Sequence, residues 1–300
     1  MGKLWNNYSM KPEIVHIGFS KSASTYLQSI FQEVNDVDYC YKSGKFDVEE
    51  PKEGQRGAEL GLIRLESDEH IILPEWHPIL HRVRVTRFSA LPKVFTRIID
   101  RSEHPKVILV IRNQYHLIVS RYSQFIVGSG GKLHFQEFLD AMIEGDENYF
   151  DNRYHRIQCA LNDSFEEQNV KVLIYEEINK RGAEIVEELN QFTGLTFTYK
   201  PAKFRSRRKG LSKRALNWVR ILNSLLIRSK QPKIDQVRTR IPKLIYVSLV
   251  RVIRLFDSIF PGDKLILTNE QHERISALFS EDNERLAKSL NRNLSELGYH

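Results

Sequence analysis

IGFSKSASTYLQ, residues 17–28, sets a glycine, a lysine and a run of small hydroxylated residues between an apolar strand and a helix. The spacing predicts a strand over 13–17, a turn over 18–22, and a helix opening near Ala23 in which Tyr26, Leu27, Ile30 and Phe31 recur at the helical period. Unpaired N–H groups at the first turn of such a helix, together with its dipole, favour an anion. Glycine and serine ahead of a helix are also ordinary capping chemistry, so the loop needs a second, independent match. It differs from the nucleotide loop Gly-x4-Gly-Lys-Ser/Thr, where the lysine follows a second glycine and the next hydroxyl holds magnesium. Here Lys21 stands three residues after Gly18, and Ala23 takes the next small position.

The second match is VILVIRNQYHLIVSRY, residues 107–122. A buried-looking strand is followed by Arg112, with Ser120 eight residues later on the next helix. A guanidinium offers phosphate a planar fork, and a serine hydroxyl adds a neutral donor. Singly, Arg112 reads as a solvated strand end and Ser120 as a helix-face serine; in this order, behind the first loop, they read as a pair.

These residues resemble the sulfotransferases that use 3′-phosphoadenosine 5′-phosphosulfate (PAPS), whose loop has the form Lys-Ser/Thr-Gly-Thr/Ser-Thr. The resemblance implies that Lys21, Ser22, Ala23, Ser24 and Thr25 hold the 5′-phosphosulfate, with Ala23 in place of the family glycine, and that Arg112 and Ser120 grip the 3′-phosphate. Asn113 also fits the pattern. Tyr26 and Tyr122 read as helix-packing aromatics, with a place beside the adenine as the alternative; Tyr26 is carried in the cofactor-binding set. Arg208, Lys209 and Gly210 resemble the late segment that closes over the 3′-phosphate, with a plain basic loop as the rival reading. The ending FSEDNERLAKSLNRNLSELGYH is similar to that of many bacterial sulfotransferases, whereas 211–260 matches no part of the family pattern.

Sulfonate transfer to a hydroxyl or amine needs an aligned nucleophile and leaving group, with charge stabilised on the leaving oxygen. The resemblance gives that stabilising role to Lys21. It places a glutamate base at the end of the second strand. EHIILPEWHPIL, residues 69–80, predicts a strand over 71–73 that ends near Glu75, with His77 just after. Glu75 is the first choice of base and His77 the second, since an imidazole titrates near neutrality. Trp76 stands where the family often has lysine. The plain readings are a salt-bridged or capping carboxylate and a loop histidine. His16 reads as a packed core histidine, and Glu176 as either a family strand ending or an acidic cap on the next helix.

Apolar runs alternate with helical patterns, which predicts an α/β fold: a three-layer, P-loop-type parallel sheet flanked by helices, with an added basic helical segment near the C-terminus. Strands are predicted at 14–18, 71–73, 107–111 and 170–175, and helices at 24–34, 117–126, 135–142, 152–165 and 183–193. The charged, glycine-rich stretch 47–61 reads as a surface loop. The 300 residues, 41% of them hydrophobic, suit one domain over 1–300 that contains a basic amphipathic helical insertion at 211–260. Two cysteines far apart make no disulfide framework, and no Cys/His spacing suits a metal, so no metal is expected.

The start, MGKLWNNYSMKPEIV, lacks the apolar core of a signal peptide, and no uncharged apolar run reaches the roughly 20 residues of a membrane span. Because Golgi members of the family carry an N-terminal anchor, the expectation is a cytoplasmic enzyme, or a catalytic domain taken from a longer chain. A peripheral place at the inner membrane face is the variant reading. Residues 200–254 hold seventeen Lys or Arg against one acid, +16, which leaves −9 for the rest of a chain whose net charge is +7. A run so lopsided reads as an attachment surface for a polyanion or a membrane. Two helices are expected within it, broken at 229–233; packing on the core is the plainer reading and a peripheral membrane contact the sharper one.

The leading function is therefore a PAPS-dependent sulfotransferase acting on a glycan or lipid-linked hydroxylated acceptor. A P-loop kinase would require ATP and magnesium. A nucleic-acid-binding module would explain the basic stretch and neither anion-site match, so no obligatory nucleic acid is expected.

Overall fold

A computed structural model describes residues 13–19, 24–41, 62–68, 75–76, 84–85, 88–100, 102, 104–143, 152–201, 210–227, 239 and 241–300. In chain order the strands are β1 (Ile14–Gly18), β2 (Val37–Tyr41), β3 (Ile63–Asp68), β4 (Glu75–Trp76), β5 (Arg84–Val85), β6 (Lys106–Ile111) and β7 (Val170–Ile174). The helices are α1 (Ser24–Phe31), α2 (Leu91–Ile99), α3 (Gln114–Gly128), α4 (Phe135–Ile143), α5 (Tyr154–Phe165), α6 (Tyr175–Thr193), α7 (Lys213–Leu226), α8 (Lys243–Ile259) and α9 (Asn269–Leu290).

Five strands form one parallel sheet in the order β2-β3-β1-β6-β7. Its centre is apolar on both faces, as a sheet covered on both sides requires. The period of two sorts the side chains. Val15, Ile17, Val107, Leu109 and Ile111 enter the core shared with α2, α3 and α5, while Ile14, Ile108, Val110 and Leu173 face α1 and α6. The α/β layering expected from the sequence is what the structure contains.

Two members of the sheet, β2 and β3, were not predicted. VDYCY and IRLESD carry charges that hide their strand pattern. In the fold, buried Arg64 donates to Asp38 at 3.0 Å and to Glu66 at 3.4 Å, so the charges are paired within the sheet. The predicted strand over 71–73 and the loop over 47–61 lie outside the described residues. The expectation that Glu75 closes the second strand of the main sheet is corrected: Glu75 and Trp76 pair antiparallel with Val85 and Arg84 in a separate two-stranded sheet, and β3 is the strand beside β1.

The five helices predicted at 24–34, 117–126, 135–142, 152–165 and 183–193 are present as α1, α3, α4, α5 and α6, the first and fourth shorter than predicted and the others longer, while α2 and α9 were not predicted. α6 begins at Tyr175, eight residues before the predicted start at 183, and bends at Arg181, whose φ of −130° and ψ of 35° leave the helical region. Arg181 bonds Glu184 and Glu177, which holds the bent turn together. α9 opens with a capping box in which Thr268 and Gln271 bond reciprocally. It docks on α5, whose N-cap Arg153 makes no side-chain cap; Asp282 of α9 accepts the free N–H groups of His155 and Arg156 at 2.9 and 3.1 Å instead.

α7 packs on α3 and joins the main core through Leu216 and Val219. Buried Asn223 donates to the carbonyls of Ile126 and Gly131, both at 2.8 Å, and accepts from the Tyr246 hydroxyl at 2.6 Å, which fastens α8 to α7. Cys40 and Cys159 form no disulfide. Among the described residues no helix is long and apolar enough to cross a membrane.

Candidate active site

The parallel register brings Gly18 of β1 opposite Val110 of β6, so the two anion-site motifs leave the sheet side by side at one edge. That placement is the open end of an α/β sheet, where ligands bind. The chain continues from β1 through Phe19, which is fully buried and packs on the Tyr154 ring at 5.3 Å. Lys21, Ser22 and Ala23 lie outside the described residues. α1 begins at Ser24 and Thr25, whose side chains also lie outside them, and its apolar face of Tyr26, Leu27, Ile30 and Phe31 is buried as its period predicts.

Tyr26 is a packing aromatic here. It is 5% exposed, lies edge-on to Tyr199 at 6.5 Å and accepts the Lys200 N–H at 3.5 Å. Burial raises its pKa.

The corner after β6 is held from four directions. Asn113 caps α3, its Oδ1 accepting from the N–H groups of Tyr115 and His116 at 3.0 and 3.3 Å. Two first-turn N–H groups of α3 are therefore bonded by its own cap. The Asn113 N–H donates to Glu176 Oε1 at 3.2 Å, and the Tyr299 hydroxyl donates to Glu176 Oε2 at 2.9 Å. Tyr154 donates to the Arg112 carbonyl at 2.6 Å, and the Arg112 guanidinium lies over the Tyr175 ring at 4.5 Å. Burial pushes the hydroxyls of Tyr154 and Tyr299 well above their ordinary range, so both remain donors at neutral pH.

Ser120 is half-buried in the second turn of α3. Its neighbour Arg121 is buried; desolvation lowers its pKa to about 10, which leaves it cationic at neutral pH. Two positive side chains, Arg112 and Arg121, thus belong to the strand end and helix predicted to grip phosphate. The C-terminal residues complete the corner. Gly298 turns with a φ of +84°, and a Cβ there would also approach Asn113 Nδ2 to 3.1 Å, so glycine suits both the turn and the contact.

Glu75 sits on the separate β4–β5 sheet with its side chain outside the described residues, as are His77, Arg208 and Lys209. Gly210 is exposed, with open space where a Cβ would stand, just ahead of the α7 cap Ser212. Glu176 takes neither expected role alone: it belongs to the first turn of α6 and also ties the Arg112 corner to the C-terminus. The sequence reading missed Tyr154, Tyr175 and Arg121. The available signal was an arginine inside an otherwise apolar helix and an aromatic at a strand end.

His16 lies in β1, fully buried, with Nδ1 at 2.7 Å from Ser67 Oγ and its ring edge-on to Phe31. Desolvation lowers its pKa to about 3, as expected of a neutral core histidine.

A family profile described as the sulfotransferase domain matches residues 11–240. No curated protein sequence matches significantly. A crystal structure of a sulfotransferase from Alicyclobacillus acidocaldarius superposes with a TM-score of 0.54 at 15% identity, covering 95% of this chain and 98% of that one. Mouse sulfotransferase SULT7A1 complexed with PAP gives a TM-score of 0.47 at 15% identity, covering 91% of this chain and 84% of that one.

Proposed function

This chain belongs to the sulfotransferase family and is an enzyme of sulfate transfer, and on that premise we propose that its donor is PAPS, bound across the β1 and β6 edge, and its acceptor a hydroxylated glycan. The observation that carries the reading is the Arg112 corner: a guanidinium fixed at the end of β6, beside the strand that leads into the Lys21 loop, with Ser120 and Arg121 on the helix that follows. The residues present suit a phosphate group, because a guanidinium and a hydroxyl follow one strand end.

When bound, PAPS supplies an activated sulfonate. The chain's own contribution is alignment and charge. Arg112 and Ser120 hold the 3′-phosphate; Ser22, Ser24 and Thr25 hold the 5′-phosphate; Lys21 places its ammonium where the leaving oxygen gains charge. Glu75, or His77 beside it, takes the acceptor proton. Arg208, Lys209 and Gly210 close over the nucleotide. The basic stretch 200–254 supports an acceptor carrying negative charge, and two cysteines that form no disulfide agree with a cytoplasmic setting.

Calorimetric titration with 3′-phosphoadenosine 5′-phosphate and with ATP, each with and without magnesium, tests the donor. Binding of the bisphosphate without metal, weakened in Arg112→Ala, is the expected result; binding of ATP with magnesium alone overturns it. Transfer from radiolabelled PAPS to a panel of glycans, lipids and phenols then tests the acceptor class.

A further inference from the structure

α8 has two apolar faces. Tyr246 and Val250 turn inward onto α7 and are buried, yet the opposite side carries Leu244, Ile245, Val252, Leu255, Phe256 and Ile259, all exposed. At about 100° per residue these six fall within one arc of about 120°. The exposure is large: 81% at Leu244, 62% at Val252, 61% at Leu255 and 59% at Ile259. The arc continues onto α7, where Trp218 meets Phe256 at 5.4 Å between ring centroids and Leu225 is also exposed. Contiguous apolar surface of this kind on a folded chain marks a place where something docks.

The charges say what docks. Arg251 is exposed at the margin of the arc, about 20° from Leu244, with Arg254 and Lys243 farther round towards the buried face, and Arg214 lies over Trp218 at 5.3 Å. The single acid of α8, Asp257, is turned inward, where it accepts from the N–H and hydroxyl of Ser212. The outward side of the helix therefore presents aliphatic and aromatic side chains with Arg251 at their edge and no carboxylate. A second copy of this chain would bring two such basic flanks together. A nucleic acid would engage the arginines and leave the apolar arc in water.

We propose that the outer face of α8, with the adjoining edge of α7, seats on an anionic lipid surface: the apolar arc enters the interface, and Arg251 with Arg214 beside Trp218 meets lipid phosphates. Leu, Phe and Trp on one face with arginines on its margin are the side chains of an interfacial helix. α8 lies along the surface, since it is neither long nor apolar enough to cross. It also lies beyond the segment matched by the family profile, which ends at 240. The inference is independent of the donor assignment, and it gives Arg251 of the basic stretch to a lipid surface rather than to the acceptor.

Flotation of the full chain with phosphatidylcholine vesicles, with and without phosphatidylglycerol, tests it. The expected result is strong partition onto the anionic vesicles and weak partition onto the neutral ones. Arg251→Gln lowers anionic partition about fivefold. Val252→Asp with Leu255→Asp lowers it at least about tenfold on both vesicle types. Both variants change exposed positions, and unchanged circular dichroism checks their fold. Absence of wild-type partition onto anionic vesicles overturns the proposal by itself. So does a dimer that the aspartate variant dissociates without any vesicle binding, or capture on nucleic acid without it. Calorimetry of the same samples with 3′-phosphoadenosine 5′-phosphate keeps a failure of the donor reading separate from a failure of this one.

Discussion

The corner after β6 and the pair α7–α8 are both apolar sequence punctuated by arginine, and they turn those residues in opposite directions. At the corner, Ile111, Leu117 and Ile118 are wholly buried, and the polar groups of Asn113, Glu176 and Tyr299 bond to one another. On α8 the polar groups Tyr246 and Asp257 are the ones turned inward and bonded, while Leu244, Val252 and Leu255 face out. Arginine in the first setting is held rigidly, over an aromatic ring and beside a capped helix; in the second it edges an apolar surface. A rigid cation suits a small anion of fixed geometry, and a mobile margin of cations suits a broad, fluid one.

The largest expected effect tests whether the corner serves a chemical site. Lys21→Ala should lower kcat about 10²- to 10³-fold with the fold intact by circular dichroism, the cost of one preorganised donor; near-normal turnover would place the chemistry elsewhere. Next comes the contrast in burial. Leu117→Ala should cost about 3 kcal/mol in urea denaturation, whereas Leu255→Ala should stay within about 0.5 kcal/mol. Equal costs would mean that the α8 face is covered by the chain itself. Arg112→Ala should weaken binding of 3′-phosphoadenosine 5′-phosphate about 30-fold, as expected for loss of a charge-assisted pair.

His16 sharpens the contrast through pH. Its pKa is lowered to about 3 in the folded chain by burial, so the unfolded chain takes up the proton first as pH falls. The stability it contributes is present above the unfolded value and declines below it, by about 2 kcal/mol between pH 7 and pH 5. Denaturation curves at the two pH values measure this, and His16→Gln should flatten the difference. The smallest effect belongs to the seam between α7 and α8. Tyr246→Phe leaves Asn223 Oδ1 short of a donor and should cost about 1 kcal/mol without altering turnover.

The two matches at 17–28 and 107–122 were legible because each needs only neighbouring residues: a strand end, a particular side chain and a helix start. The same locality made β1, β6 and β7 readable as apolar runs. β2 and β3 were not readable, since Arg64, Asp38 and Glu66 look like surface charges until a sheet register pairs them. Glu75 shows the reverse error. An apolar run before it suggested membership in the main sheet, but β4 bonds to β5, and no local pattern specifies a hydrogen-bonding partner.

Taken alone, the amino-acid sequence determined the α/β class, the sulfotransferase resemblance and the concentration of positive charge over 200–254. Only the tertiary structure decided that Glu176 and Tyr299 brace the corner, that Tyr26 is packed in the core, and that α8 buries one apolar face while presenting the other. The physical reason is range. Periodicity and charge are properties of consecutive residues, whereas burial and hydrogen-bond satisfaction depend on segments from 23 to 174 positions apart, which only folding brings into contact.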